Sequence, residues 1–168
     1  NIMSTLLNLA KLNQGAEIPS CELINVKEIV EQLVQHKRKL HPDFKIITRY
    51  DSDEPELFIN KEHLFLAINP IIENAVRYSK DIRQIVVHVQ DNYCPNNLYI
   101  SITNYGLPIP EEEIPYLFER HFRGNTGVKQ GSGIGLTIVK KVMDLYEGRI
   151  EVESKPLKPT VFTLIFPK

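Results

Sequence analysis

Apolar residues recur along this chain at two periods, helical and alternating, and these divide it into elements. Ile2, Leu6, Leu9 and Leu12, with Leu7 beside them, repeat at helical spacing, and Gly15 stands where a helix C-terminus ends. So short a helix is marginal alone in water and needs a partner for its stripe. Ala16 to Glu22, containing Pro19, reads as a linker. Asn25 is a helix cap, with Glu28 at the capping-box position and Val26, Ile29, Val30, Leu33 and Val34 on one face. Pro42 marks the end of that helix.

Phe44 to Tyr50 alternates apolar and polar residues as a half-buried strand does, and Leu57 to Ile59 adds a shorter strand. Asn60 caps a long helix through Ser79, interrupted only at Pro70. Gln84 to Gln90 and Leu98 to Asn104 read as antiparallel strands joined by a turn-rich segment, Asp91 to Asn97. A short acidic helix follows Pro110, and Ile134 to Tyr146 is apolar and compatible with a helix. Gly148 to Ser154 and Thr160 to Phe166 form a closing hairpin. Strands and helices do not alternate strictly. The predicted fold class is therefore α/β (α+β), a two-layer sandwich with a mixed sheet covered on one face by helices.

Composition narrows the function classes. A length of 168 residues with 42% hydrophobic content suits one domain plus a short appendage. The net charge of −1 gives no electrostatic case for nucleic acid or an acidic membrane. Cys21 and Cys94 lack metal-ligand spacing and suit a reducing compartment. No apolar run approaches the roughly 18 residues of a spanning helix. The chain opens at Asn1-Ile2-Met3 inside an amphipathic pattern, which reads as part of something longer.

The densest chemical signal is Gln130-Gly131-Ser132-Gly133-Ile134-Gly135-Leu136, running straight into a helix. Glycines there let backbone approach a ligand, and the helix start offers free N–H groups and a positive dipole end, which suits phosphate. A plain Gly-rich turn capping a helix is the bland alternative. No Gly-Lys-Ser/Thr follows, which excludes a Walker loop, and the spacing and missing strand fit a Rossmann fingerprint poorly.

Read with three further segments, this run resembles the G2 box of sensor histidine kinases. Ile72-Glu73-Asn74-Ala75-Val76-Arg77-Tyr78-Ser79 resembles their N box, Asn104-Tyr105-Gly106-Leu107-Pro108-Ile109-Pro110 their G1 box, and Leu117-Phe118-Glu119-Arg120-His121-Phe122-Arg123-Gly124 their F box. The boxes stand in the family's order, and Leu6 to Leu12 resembles the end of the helix that precedes the catalytic domain. The resemblance implies a Bergerat-type ATP-binding fold. It also implies that 1–15 is the C-terminal end of a dimerisation and phosphoacceptor helix and 16–168 the catalytic domain.

The same resemblance implies ATP and Mg²⁺ as cofactors, with Asn74 as the metal ligand. An asparagine oxygen is a hard donor, suited to an ion that keeps waters and phosphate oxygens besides one or two protein groups. Arg77 is placed to approach phosphate and Tyr78 to pack beside the nucleotide; both share a helix face with Asn74. Asn104 would meet the adenine amino group, with Gly106 and Ile109 completing that loop. Phe118 and Phe122 would anchor a lid, while Arg123, with Lys129 as a weaker candidate, would reach the γ-phosphate. Gly131, Ser132, Gly133, Ile134, Gly135 and Leu136 would line the phosphates. Arg123, Arg77 and Glu73 are the expected catalytic residues.

Three departures stand out. Pro70 replaces a polar residue, often Asn, or in hydrolytic relatives a Glu that activates water; Glu73 is close but points about 100° away from Asn74. Asn104 stands where Asp is usual, and Pro108 replaces a second glycine. Lys155 to Pro159 replaces the family's third glycine box and reads as structural.

The implied activity is transfer of the ATP γ-phosphoryl group to a histidine on a dimerisation domain, for relay to a response regulator receiver domain. A non-catalytic nucleotide-sensing module and an anti-sigma-type serine kinase are the alternatives. The implied assembly is a homodimer through dimerisation helices, with no nucleic acid partner. The implied location is cytoplasmic, in a longer inner-membrane sensor. None of the five histidines, His36, His41, His63, His88 and His121, has the family's acceptor setting of a His-Glu or His-Asp pair.

Overall fold

Two asparagines start the helices that organise the molecule. The computed structural model describes residues 20–79, 81–91, 96–119 and 135–168. Asn25 is extended (φ −78°, ψ 109°), and its side chain accepts from Glu28 N at 3.4 Å, opening α1 (Val26–Leu40). Asn60 accepts from Glu62 N at 2.9 Å and His63 N at 3.3 Å, opening α2 (Lys61–Tyr78). Each cap satisfies amide donors that no intrahelical carbonyl can reach. The third helix, α3 (Gly135–Leu145), ends in a Schellman turn: Gly148 N donates to Met143 O at 2.8 Å and Glu147 N to Asp144 O at 3.2 Å. Glu147 there has a φ of 57°. A 3₁₀ helix, Glu111–Tyr116, carries the acidic run after Pro110.

Among the described residues, seven strands form two sheets. β1 (Glu22–Asn25) and β3 (Glu56–Ile59) make an antiparallel ribbon, with Leu23 opposite Phe58 and Ile24 opposite Leu57. The main sheet has the order β2-β4-β5-β7-β6, from β2 (Lys45–Asp51), β4 (Gln84–Gln90), β5 (Asn97–Asn104), β7 (Thr160–Pro167) and β6 (Arg149–Glu153). Its β2–β4 pair is parallel and its other pairs antiparallel, so the sheet is mixed as its sequence implies.

Alternation along the strands gives the sheet its two faces. Ile85, Val87 and Val89 of β4, Leu98, Ile100 and Ile102 of β5, and Phe162, Leu164 and Phe166 of β7 are buried beneath the helices. Against them pack Leu64, Ile68, Ile71 and Ile72 of α2 and Ile138, Val139, Val142 and Met143 of α3. The opposite face carries a polar row in register: Arg49, His88, Ser101, Thr163 and Glu151. The described helices therefore lie on one side of this sheet. No helix among the described residues is long and apolar enough to cross a membrane.

β1 is the element of this ribbon that the local pattern does not announce. Glu22, read from sequence as the end of a linker, is the first residue of β1 and pairs with Ile59.

Candidate nucleotide site

The site is built where the end of α2 meets the loop after β5. Asn74 lies in the last half of α2, 8% exposed, with no side-chain hydrogen bond to a described residue. Arg77 and Tyr78 follow one turn later and are partly exposed. Helical geometry puts all three on one face.

Gly106 joins this helix to the β5 loop. Ser79 and Gly106 form an isolated antiparallel bridge, and Leu107 N donates to Tyr78 O at 3.3 Å. A Cβ on Gly106 would overlap the Tyr78 carbonyl oxygen and lie 2.9 Å from Ser79 Cα, so no side chain fits. The loop is strapped at its other end as well. Ile109, itself buried, donates its N–H to Ser154 Oγ at 2.8 Å, and that oxygen contacts Thr160 Oγ1 at 2.8 Å.

Asn104 sits between these straps, only 2% exposed, facing Ile85 on one side and Thr160 on the other in the sheet register. Its amide nitrogen is buried and has no hydrogen-bond partner. An unpaired buried donor costs about 1–3 kcal/mol, which a bound acceptor would recover. That orphan atom fits a ligand that offers an acceptor, such as a purine ring nitrogen or carbonyl, while an adenine amino group would meet the amide oxygen instead.

Glu73 is held elsewhere. Its Oε1 pairs with Lys37 Nζ of α1 at 3.1 Å and accepts from Asn69 Nδ2 at 3.2 Å. Lys37 is a buried cation, with its side chain 5% exposed, so this carboxylate compensates a charge inside the α1–α2 contact. The structure brings Asn74, Arg77, Tyr78, Asn104, Gly106 and Ile109 to adjoining elements and turns Glu73 toward α1.

Pro70 has a packing role. A Cβ on Gly135, the first residue of α3, would lie 3.2 Å from Pro70 Cβ. The pyrrolidine ring thus forms the surface on which the start of α3 rests, where a larger residue than glycine would be crowded. Leu136 is partly buried against the core, and Phe118 meets Phe162 edge-on, ring centroids 6.3 Å apart at 75°. Phe122, Arg123, Lys129, Gly131, Ser132, Gly133 and Ile134 lie outside the described residues.

One positioning group escaped the sequence reading. The Tyr146 hydroxyl, just beyond α3, accepts from Asn60 N at 3.1 Å and lies 2.6 Å from His63 Nδ1, with the rings edge-on at 5.6 Å. Burial pushes the Tyr146 hydroxyl up to about 12 and holds His63 below its ordinary value. The hydroxyl therefore keeps its proton and faces a neutral imidazole. This ties the far end of α3 to the start of α2, fixing the two helices that flank the site. The only sequence signal was an aromatic closing an apolar helix.

Comparison with known proteins gives the family and the fold. Residues 59–168 match the family described as histidine kinase-, DNA gyrase B-, and HSP90-like ATPase. The chain belongs to that family. Among its relatives, the signal transduction histidine-protein kinase ArlS of Staphylococcus haemolyticus is 30% identical over 98% of this chain and 37% of its own length. The heme sensor protein HssS of the same organism is 27% identical over 100% of this chain and 36% of its own. The chain thus spans little more than a third of these relatives. The mycobacterial sensor histidine kinase MprB superimposes with a TM-score of 0.78 at 24% identity, covering 88% of this chain and 97% of that one. The Acinetobacter baumannii histidine kinase AdeS gives 0.76 at 19% identity, over 98% of this chain and 76% of that one. These structures share the Bergerat-type fold.

Proposed function

We propose that this domain binds ATP with Mg²⁺ and transfers its γ-phosphoryl group to a histidine on a dimerisation helix. The phosphoryl group then passes to an aspartate of a response regulator receiver domain. The observation that most supports this reading is the junction at Gly106, where the helix bearing Asn74, Arg77 and Tyr78 touches the loop that begins at Asn104. Six residues of the expected nucleotide site sit on these two elements.

Asn74 is the proposed metal donor. Among the described residues no group of three His, Cys, Asp or Glu could hold an ion. One amide oxygen beside phosphates suits Mg²⁺, which retains several waters and needs few protein ligands. The bound ion would neutralise charge on the phosphates. Asn104 would hydrogen-bond the base, Tyr78 pack beside the nucleotide, and Arg77 and Arg123 face the phosphates.

In the transfer, the bond from the γ-phosphorus to its bridging oxygen breaks and a phosphorus–nitrogen bond to the acceptor imidazole forms. ADP leaves with the bridging oxygen, and the imidazole proton departs. Transfer to water is expected to be slow, because Pro70 offers no base and Glu73 is engaged by Lys37. The reading further implies dimerisation through helices preceding this domain and a cytoplasmic position for it in a membrane-anchored sensor.

Incubation with γ-labelled ATP tests the proposal. A full-length protein carrying the dimerisation helices becomes labelled with an acid-labile, base-stable bond, whereas this 168-residue chain does not. Stoichiometric labelling of the 168-residue chain, or an acid-stable bond in the full-length protein, contradicts it.

A further inference from the structure

Among the described residues, Asn104 Nδ2 is the only buried side-chain nitrogen or oxygen without a hydrogen-bond partner. The strand neighbours of Asn104 do not account for an amide there. Ile85, opposite it on β4, is apolar. Thr160, opposite it on β7, has its hydroxyl 2.8 Å from Ser154 Oγ, and that oxygen also accepts from Ile109 N. A buried amide with no protein partner is costly, and an apolar side chain would serve the sheet better unless a ligand meets the amide.

A carboxamide has two different ends. Its oxygen accepts and its NH₂ donates, and a half-turn about Cβ–Cγ exchanges them without changing the space they fill. Among the described residues, no side-chain hydrogen bond holds Asn104 in one orientation. Purines divide by the same criterion. At position 6 adenine carries an amino donor beside the N1 acceptor, whereas hypoxanthine and guanine carry a carbonyl acceptor beside an N1–H donor. An amide free to turn matches either edge; a carboxylate only accepts.

We propose that the base pocket takes both kinds of purine: Asn104 accepts from the 6-amino group of ATP and, turned over, donates Nδ2–H to the 6-carbonyl of inosine and guanine triphosphates. The inference rests on the nucleotide reading above and widens its donor class from ATP to 6-oxopurine nucleotides. ITP is the cleaner probe, because guanine adds a 2-amino group that needs its own space.

The test is competition against one fluorescent ATP analogue with Mg²⁺, on the 168-residue chain. The competitors are ATP, ITP and purine riboside triphosphate, which has no substituent at position 6. ATP and ITP should each bind about threefold to tenfold more tightly than the unsubstituted purine, the worth of one neutral hydrogen bond. Asn104→Leu, of similar size but with no donor or acceptor, should bring the three affinities together; the wild-type ranking decides by itself where that variant does not fold. ITP binding no more tightly than the unsubstituted purine overturns the inference, and so does an ITP gain that survives in Asn104→Leu. Where ATP still binds, only this inference falls. Failure to bind any of the three, or the fluorescent analogue itself, overturns the nucleotide reading and this inference with it.

Discussion

Gly106 lies so close to the carbonyl of Tyr78 that a methyl group on its Cα would stand 2.8 Å from the carbonyl carbon and overlap its oxygen. The end of α2 and the loop after β5 can therefore move only together. Gly106→Ala must push them apart, at a stability cost of about 1–3 kcal/mol, typical of overpacking. Nucleotide affinity should fall about tenfold or more, since 1.4 kcal/mol of lost binding is one decade. Gly148→Ala is the control: its Cβ would meet Ile165 O and Met143 Cε at 2.6 Å, away from this junction. It should lower thermal stability while nucleotide affinity, measured below both melting points, stays unchanged.

Asn104 carries the second prediction. Asn104→Asp replaces a neutral acceptor by a charged one, and a bond to a charged group nets about 1.5–3 kcal/mol against about 0.5–1.5 for a neutral bond. ATP should bind up to about tenfold more tightly, and discrimination against GTP should rise, because a carboxylate repels the guanine carbonyl. Since position 104 is 2% exposed, the nucleotide-free variant should also melt at a lower temperature, and ATP should restore it more than it raises wild type. Competition of ATP and GTP against one fluorescent nucleotide, with melting curves, checks both. Equal preference ratios in the two proteins would mean that Asn104 does not read the base.

Glu73 separates structural from catalytic roles. Glu73→Gln leaves the buried Lys37 without its counter-charge and should destabilise the domain by about 1–3 kcal/mol. Phosphotransfer by the full-length protein, assayed below the variant's melting temperature, should keep its rate. A large fall in rate without a fall in stability would return Glu73 to the catalytic set.

His63 makes stability depend on pH. Burial lowers its folded-state pKa below the ordinary 6.5, so the unfolded chain binds the proton more readily. Its contribution is therefore complete above about pH 6.5 and is lost as pH falls through the depressed folded value. His63→Gln keeps a hydrogen-bonding side chain beside Tyr146 and does not titrate. Melting temperatures from about pH 8 to about pH 5 should fall more steeply in wild type than in this variant. Parallel curves would remove His63 from the account.

Most elements were legible because their signals are local. Asn25 and Asn60 cap where their side chains predict, and the 84–90 alternation coincides with β4. β1 was not legible. Only Leu23 and Ile24 are apolar in β1, and its existence depends on pairing with residues more than 30 positions away. Pro70 reads as a defect in sequence, yet its ring is a contact for Gly135 that becomes visible only when α2 and α3 are side by side. Glu73 was drawn toward the site by its neighbour Asn74; a buried lysine on another helix decides its direction. The Tyr146 hydroxyl joins residues 83 and 86 positions away, beyond any periodicity.

The most direct test of the nucleotide reading is the Mg²⁺ dependence of binding in Asn74→Ala. A fluorescent ATP analogue should bind wild type markedly more tightly with Mg²⁺ than with chelator, and the variant should lose most of that gain while still folding. An unchanged Mg²⁺-dependent gain in Asn74→Ala would contradict the assignment of this helix as the metal-bearing wall of the site.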